Sequence, residues 1–255
     1  MTGRLNLPDI TLCAVASVNL AATIAAMERC LALADFGAAL LLTDAEAPAL
    51  PAGIEKVTIN RLGSSSAYSR FVLHDLADWI GTSHCLIVQW DGFILNPSAW
   101  NDAFLACDYI GAPWPQFADG HDVGNGGFSL RSKRLMLAAR EPNFVDSGAA
   151  EDVVIARVNR PWLEGERALR FADRVLASAF AFERDRDVPA PFGFHGVFNL
   201  PQAVGIEGFW DIYKSLDDKR TVWTDFWPLL RAVARGPQGL RRAVRIVSDR
   251  LGLTR

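Results

Sequence analysis

The chain has 255 residues, of which half are apolar and 22% charged, with a formal net charge of −3. That composition holds ample material for a buried core and excludes a disordered chain, a coiled coil and a strongly basic nucleic-acid binder. Four cysteines (Cys13, Cys30, Cys85, Cys107) lie far apart without a CxxC pair. They read as buried thiols in a reducing cytoplasm rather than as a zinc site or a disulfide framework.

In chain order, Ile10 to Ala16 is a short apolar run that predicts a buried strand, followed by a loop at Ser17-Val18-Asn19. Asp9, Asn19 and Thr23 argue against reading Ile10 to Met27 as a signal peptide, and no apolar stretch is long enough to span a membrane. Leu20 to Ala34 predicts a helix and Ala38 to Leu42 a second strand ending at Thr43-Asp44. Pro48 and Pro51 punctuate a loop before a third strand, Lys56 to Asn60. Ser66 to Ile80 predicts a helix with Tyr68, Phe71, Val72, Leu76 and Trp79 at helical spacing, and Cys85 to Trp90 a fourth strand closed by Asp91-Gly92. Strands alternating with helices predict an α/β fold of three layers around a mostly parallel sheet. Ligands of such sheets bind beyond the carboxyl ends of the strands, where Ser17, Asn19, Asp44, Gln89 and Asp91 fall.

The middle of the chain is rich in glycine, proline and tryptophan, with loops at 111–115, 119–121 and 124–127. Leu130 to Arg140 predicts a helix, Asp152 to Asn159 begins another, and Phe180 to Asp187 is strand-like. Residues 1–215 are expected to form the catalytic domain and 216–255 a basic helical extension, with eight arginines and two acids between Arg220 and Arg255. Its apolar residues are interleaved with the arginines. The pattern suits either a helix packed on the domain or a basic amphipathic helix lying on an anionic membrane surface.

Four features carry candidate chemistry. Asp91 ends a hydrophobic strand beside a glycine, which suits a divalent cation on phosphate oxygens as well as a plain turn. Gly124-Asn125-Gly126-Gly127 permits positive φ and close approach of the backbone to a ligand, as a wall for sugar or acceptor or as a hairpin turn. Glu151-Asp152 opens a helix, where an acid either caps the helix or acts as a general base. His195 is held between aromatics and glycines, as a metal or phosphate contact or a hydrogen-bonded loop histidine.

The order of these features resembles the GT-A glycosyltransferase superfamily, with its DxD motif, glycine loop, xED motif and late metal-binding histidine. Here these would be Gln89-Trp90-Asp91, Gly124 to Phe128, Ala150-Glu151-Asp152 and His195. The phrases at Gln89 to Phe93, Ile110 to Pro115, Gly124 to Arg131 and Phe192 to Gly196 resemble, more closely, a largely bacterial family of uncharacterised GT-A-like domains. The resemblance covers roughly residues 8 to 200 and departs at Gln89, which stands where the first DxD acid belongs.

That resemblance implies a three-layer GT-A (Rossmann-like) fold and transfer of a sugar from a nucleotide-sugar donor, by default a UDP-sugar, to a glycan or other hydroxyl acceptor. Ser17, Asn19, Asp44, Arg70, Gln89 and Asp91 would bind donor and nucleotide, and Trp114, Asn125, Gly126 and Gly127 would border sugar and acceptor. Asp91 and His195 would hold Mn²⁺ or Mg²⁺. With Gln89 present, the cation would bind with the nucleotide, or cationic side chains would replace it. Asp152 would be the base of an inverting displacement, with Glu151 in reserve. Arg70 also reads as a solvated helix residue and Trp114 as a core residue. The implied setting is bacterial polysaccharide assembly in the cytoplasm, with peripheral contact at the inner membrane face through the basic segment. The alternative is a catalytically inactive carbohydrate- or nucleotide-binding module of the same fold, for which the missing acid argues. A nucleotidyltransferase is disfavoured because no glycine or cation follows the first strand directly, and nothing specific supports a glycosidase.

Overall fold

A computed structural model describes residues 4–46, 49–185 and 188–253. Pro48, Asp187 and Arg255 lie outside the described residues. The chain adopts the expected three-layer α/β architecture. β1 (Leu5–Val15), β2 (Ala34–Thr43), β3 (Glu55–Thr58), β4 (His84–Val88), β5 (Tyr109–Ile110) and β6 (Phe128–Ser132) form one sheet in the order β3-β2-β1-β4-β6-β5. Pairing is parallel from β3 through β4, and β6 alone runs against the rest.

Parallel strands with both faces covered need apolar side chains on both faces. β1 supplies them: Leu12 and Ala14 join the core under α1 (Leu20–Leu33), while Cys13 and Val15 join the core under α2 (Ser65–His74). All four cysteines are buried and unpaired.

The helix expected from Leu130 to Arg140 begins later than the sequence suggests. Residues through Ser132 belong to β6, and α3 spans only Lys133–Ala138. β6 carries a charged residue, Arg131, in its interior, and that charge disguises a strand buried along its whole length. The strand-like stretch from Phe180 likewise shrinks to β7 (Ala181–Phe182), because Phe180 closes a helix over Arg174–Phe180.

Beyond residue 204 the described chain is helical. After α4 (Glu151–Val153), α5 (Arg160–Gly165), α6 (Arg174–Phe180) and α7 (Leu200–Ala203), the helices α8 (Gly205–Ser215), α9 (Phe226–Ala234) and α10 (Gly239–Arg250) contribute Phe209, Phe226, Leu229, Val233 and Ile246 to the core that holds Leu12 and Ala14. Among the described residues no helix is long and apolar enough to cross a membrane.

Asn19 fastens this part of the chain to the loop after β1. Its backbone N–H donates to Asp217 Oδ1 (2.5 Å), its side-chain Nδ2 donates to Thr221 Oγ1 (3.0 Å), and its side-chain Oδ1 accepts from Asp218 N (2.9 Å). It sits in the left-handed region at φ 55°, which asparagine tolerates better than most residues. Asn19→Ala is expected to cost about 2–4 kcal/mol, from lost hydrogen bonds and left-handed strain, measured by denaturant unfolding. An unchanged midpoint would show that the clasp adds nothing to stability.

Candidate active site

The carboxyl end of β4 is where two distant loops meet. After Val88 the chain turns back on itself, Gly92 N donating to the Gln89 carbonyl (3.0 Å). Gly196 N donates to the Asp91 carbonyl (3.0 Å), and His195 N to the Phe182 carbonyl (3.0 Å). The His195 loop is thus sewn to both β4 and β7. Its phenylalanines are core residues: Phe194 meets Phe93 edge-on at 4.8 Å and stacks with Phe182 at 5.9 Å. Only the imidazole turns toward the cleft.

That imidazole lies between two carboxylates. Nε2 is 3.5 Å from Asp91 Oδ1 and 3.3 Å from Gln89 Oε1, while Nδ1 is 3.3 Å from Glu183 Oε1. Burial alone would lower the His195 pKa, but Asp91 and Glu183 outweigh it and raise it to about 10. Burial would push Glu183 up, yet the His195 hydrogen bond holds it below the usual value. The Gln89 amide is oriented from its other end, Nε2 donating to the Tyr68 hydroxyl (3.1 Å).

The glycine loop plays a different role from the one its composition suggests. None of Gly124, Gly126 and Gly127 has positive φ; the left-handed residue is Asn125, at φ 64°. The glycines make room for this chain's own side chains. A Cβ would fall 2.0 Å from the Trp114 ring at position 124, 1.9 Å from Glu151 Oε1 at 126, and 2.0 Å from His195 Nε2 at 127. Gly127→Ala is therefore expected to displace the imidazole and lower any activity by about a hundredfold, as an ångström-scale misplacement does. The check is a rate assay on a variant whose circular dichroism is unchanged; full activity would show that the His195 position is immaterial.

Glu151 and Asp152 open the short helix Glu151–Val153 but face different surroundings. Glu151 is buried, and its Oε1 accepts from Arg131 Nη2 at 2.9 Å, with the arginine side chain only 1% exposed. Both acids line one cleft, in which Asp152 is the less buried. Its Oδ2 accepts from Gly126 N (3.1 Å) and its Oδ1 from Val153 N (2.8 Å). Burial and the neighbouring Glu151 charge raise the Asp152 pKa against the pull of Val153 N–H, Arg131 and Gly126 N–H. A half-exposed carboxylate with a raised pKa has the character of a general base, and its buried neighbour that of a structural ion pair.

Two clefts meet at Gln89. One, of about 440 Å³, is lined by Asp152, His195, Glu183, Trp114, Asn125, Gly126 and Gly127. Asp91 lies behind the imidazole of this cleft. The other, of about 400 Å³, lies at the ends of β1 and β4 and is lined by Ser17, Arg61, Tyr68, Trp90 and Arg220.

Four residues expected in the nucleotide site are absent from both linings, Asp91 among them because it lies behind the imidazole. Asn19 is turned to residues 217–221. Arg70 is exposed on α2, beside Asp75, Asp78 and Trp79. Asp44 is half-buried after β2, its Oδ1 without a hydrogen-bond partner. Sequence reasoning missed Arg61, Tyr68 and Glu183 as site residues. Arg61 follows β3 at the same sheet edge, so the strand-end rule contained its signal. Nothing local marked Glu183, which reaches the site only because β7 pairs with β8 (Gly193–Phe194).

A cation is implied by the resemblance, and the side chains can be tested against it. Asp91 Oδ1 is buried with no hydrogen bond beyond its 3.5 Å ion pair to His195 Nε2, so a cation there would take the place of the imidazole proton, and Gln89 Oε1 points to the same region. Asp91 and Glu183 address opposite nitrogens of one ring, so they do not converge on one ion, and no group of three metal-ligating side chains occurs among the described residues. The donors fit a hard cation held jointly with diphosphate oxygens, and not one held by protein alone.

The family described as Protein of unknown function (DUF5672) matches residues 52–195. No curated protein matches the chain. Among solved structures, the chain is similar to the mannosyltransferase PcManGT from Pyrobaculum calidifontis in complex with GDP-Man and Mn²⁺. Identity is 12%, over 99% of this chain and 81% of that one, with a TM-score of 0.44. It is also similar to the glycosyltransferase GlyE of Streptococcus pneumoniae TIGR4 in its apo form, at 12% identity over 86% of this chain and 63% of that one, with a TM-score of 0.39. A second GlyE structure gives 11% identity, 85% and 62% coverage, and a TM-score of 0.39.

Proposed function

We propose that this chain, which belongs to the DUF5672 family, is a glycosyltransferase that moves a sugar from a nucleotide-sugar donor to a hydroxyl acceptor. The observation that carries this reading is the junction of two clefts at Gln89: one lined by Arg61, Tyr68 and Arg220, the other by Asp152 and His195. A nucleoside diphosphate seated in the first would direct its sugar into the second.

In this reading Tyr68 and Trp90 flank the base and ribose, and Arg61 and Arg220 face the diphosphate. Asp91 and His195 would hold Mn²⁺ or Mg²⁺, which on binding spreads the charge of the departing diphosphate. His195 Nε2 would give up its proton to ligate the ion, and the Gln89 amide oxygen, 3.3 Å from that nitrogen, would then face the cation rather than an N–H. Trp114, Asn125, Gly126 and Gly127 border the sugar. Asp152 takes the proton from the acceptor hydroxyl as that oxygen attacks the anomeric carbon, which gives inversion. Glu151 is committed to Arg131, which leaves Asp152 as the base. A UDP-sugar is the first donor to test.

A thermal-shift screen of UDP, GDP and their sugars, with and without Mn²⁺, tests the reading. Stabilisation by one nucleotide family, enhanced by the cation, is expected; no response to any donor would overturn it. The second reading, an inactive module of the same fold, draws on the neutral Gln89 in place of an acid. Release of nucleoside diphosphate from a bound donor would exclude it.

A further inference from the structure

A cleft of about 390 Å³ opens between α8 and α10, apart from both clefts above, and five cations line it: Lys214, Lys219, Arg241, Arg242 and Arg245. The acids that pair with them are fewer. Glu207 takes Arg242 (2.5 Å), Asp211 takes Lys214 (2.8 Å), and Asp249 takes Arg245 (3.0 Å) and Lys219 (3.4 Å). Arg241 has no ion pair among the described residues. The Arg242 side chain is 4% exposed, and its Nε and Nη1 lack hydrogen-bond partners. A buried guanidinium left partly unsatisfied costs free energy unless an acceptor arrives. The stacked rings of Trp210 and Tyr213 form an apolar wall. α10 also begins beside this cleft, at Gln238, with no side-chain cap and no acid in its first turn, so its free N–H groups add positive potential.

The outer face of α10 identifies the occupant. Leu240, Val244 and Leu251 recur at helical spacing on one stripe and are 82%, 56% and 65% exposed. Arg241 and Arg245 follow Leu240 and Val244 directly, so they stand between the stripe and the cleft. Bare leucine and valine beside arginine suit the boundary between headgroups and acyl chains. A soluble anion would use the cations and leave the stripe in water.

We propose that this cleft binds the headgroup phosphate of an anionic lipid, with the Leu240–Val244–Leu251 stripe resting against the acyl region. The proposal stands independently of the transferase reading, since neither Asp152 nor His195 takes part.

The test is sedimentation of the full chain with phosphatidylcholine vesicles with and without phosphatidylglycerol. Binding is expected only when the anionic lipid is present. Arg241→Ala/Arg245→Ala should weaken it roughly thirtyfold, two charges at the usual increment per basic residue. Leu240→Ser/Val244→Ser should weaken it several-fold. Arg231→Ala/Arg235→Ala removes the same charge from exposed positions outside the cleft and should leave binding within about twofold of the parent. An equal loss in that control overturns the site in favour of diffuse charge. Absence of binding to either vesicle overturns the proposal, as does stabilisation by glycerol phosphate without vesicle binding, which makes the source a free phosphate.

Discussion

Replacing Asp152 by asparagine is expected to lower the transfer rate by about 10²–10⁴-fold, the range general base catalysis supplies, with nucleoside diphosphate affinity held within about twofold. The single amide oxygen can keep the hydrogen bond from Gly126 N, which anchors the glycine loop, while the amide nitrogen forfeits the one from Val153 N. The cleft proposed for the nucleotide is lined by residues other than Asp152. The pH profile adds a second readout. Burial and the Glu151 charge raise the Asp152 pKa above 3.8, so the acid limb of kcat/KM is expected at higher pH than for an exposed aspartate, and is lost in the variant. The same shift has a stability cost: Asp152 stabilises the fold while protonated, and that contribution fades as pH rises through its folded pKa. Full transfer by Asp152→Asn would remove Asp152 as the base.

Glu151→Ala is expected to behave in the opposite way, losing stability before chemistry. It strands the Arg131 guanidinium, 1% exposed in the middle of β6, without its carboxylate. Breaking one side of a buried pair costs about 3–5 kcal/mol, which for a chain of this size lowers Tm by roughly 10 °C. Calorimetric melting of the two variants separates the roles of adjacent acids: one that melts early and one that melts normally without turning over. A Glu151→Ala protein with parental Tm would mean that Arg131 is satisfied by Ser129 and the Gly126 carbonyl alone.

The α/β frame was legible because its strands are buried on both faces, so each appears as an apolar run: Leu12 to Val15, Leu40 to Leu42, Cys85 to Val88. The reversed strand β6 was not, because Arg131 interrupts its pattern and the carboxylate that neutralises it lies 20 residues away. The meeting of Gln89, Asp91, Asp152 and His195 near one cleft followed from motif order. Their division of labour did not, since Glu151 and Asp152 are alike in chemistry and line the same cleft, and differ in that Arg131 holds the first while only backbone N–H groups hold the second. The glycine run was read through its backbone freedom, yet its function is steric and depends on rings and carboxylates from elsewhere in the chain. Arg70 and Arg61 are equally charged and nearly adjacent in sequence, and only the direction of the loop after β3 decides which lines the cleft.

The Asn19 clasp orders events during synthesis. Its hydrogen bonds span 198 to 202 residues of chain, and Arg220 and Thr221, within the clasped segment, wall the same cleft as Ser17. A growing polypeptide can assemble the sheet from its early strands, but this cleft closes only after residue 221 has left the ribosome. Loop closure over such a separation is slow relative to local packing. Any ligand of this cleft added to a refolding reaction would accordingly accelerate nothing until the last step, which it would then trap.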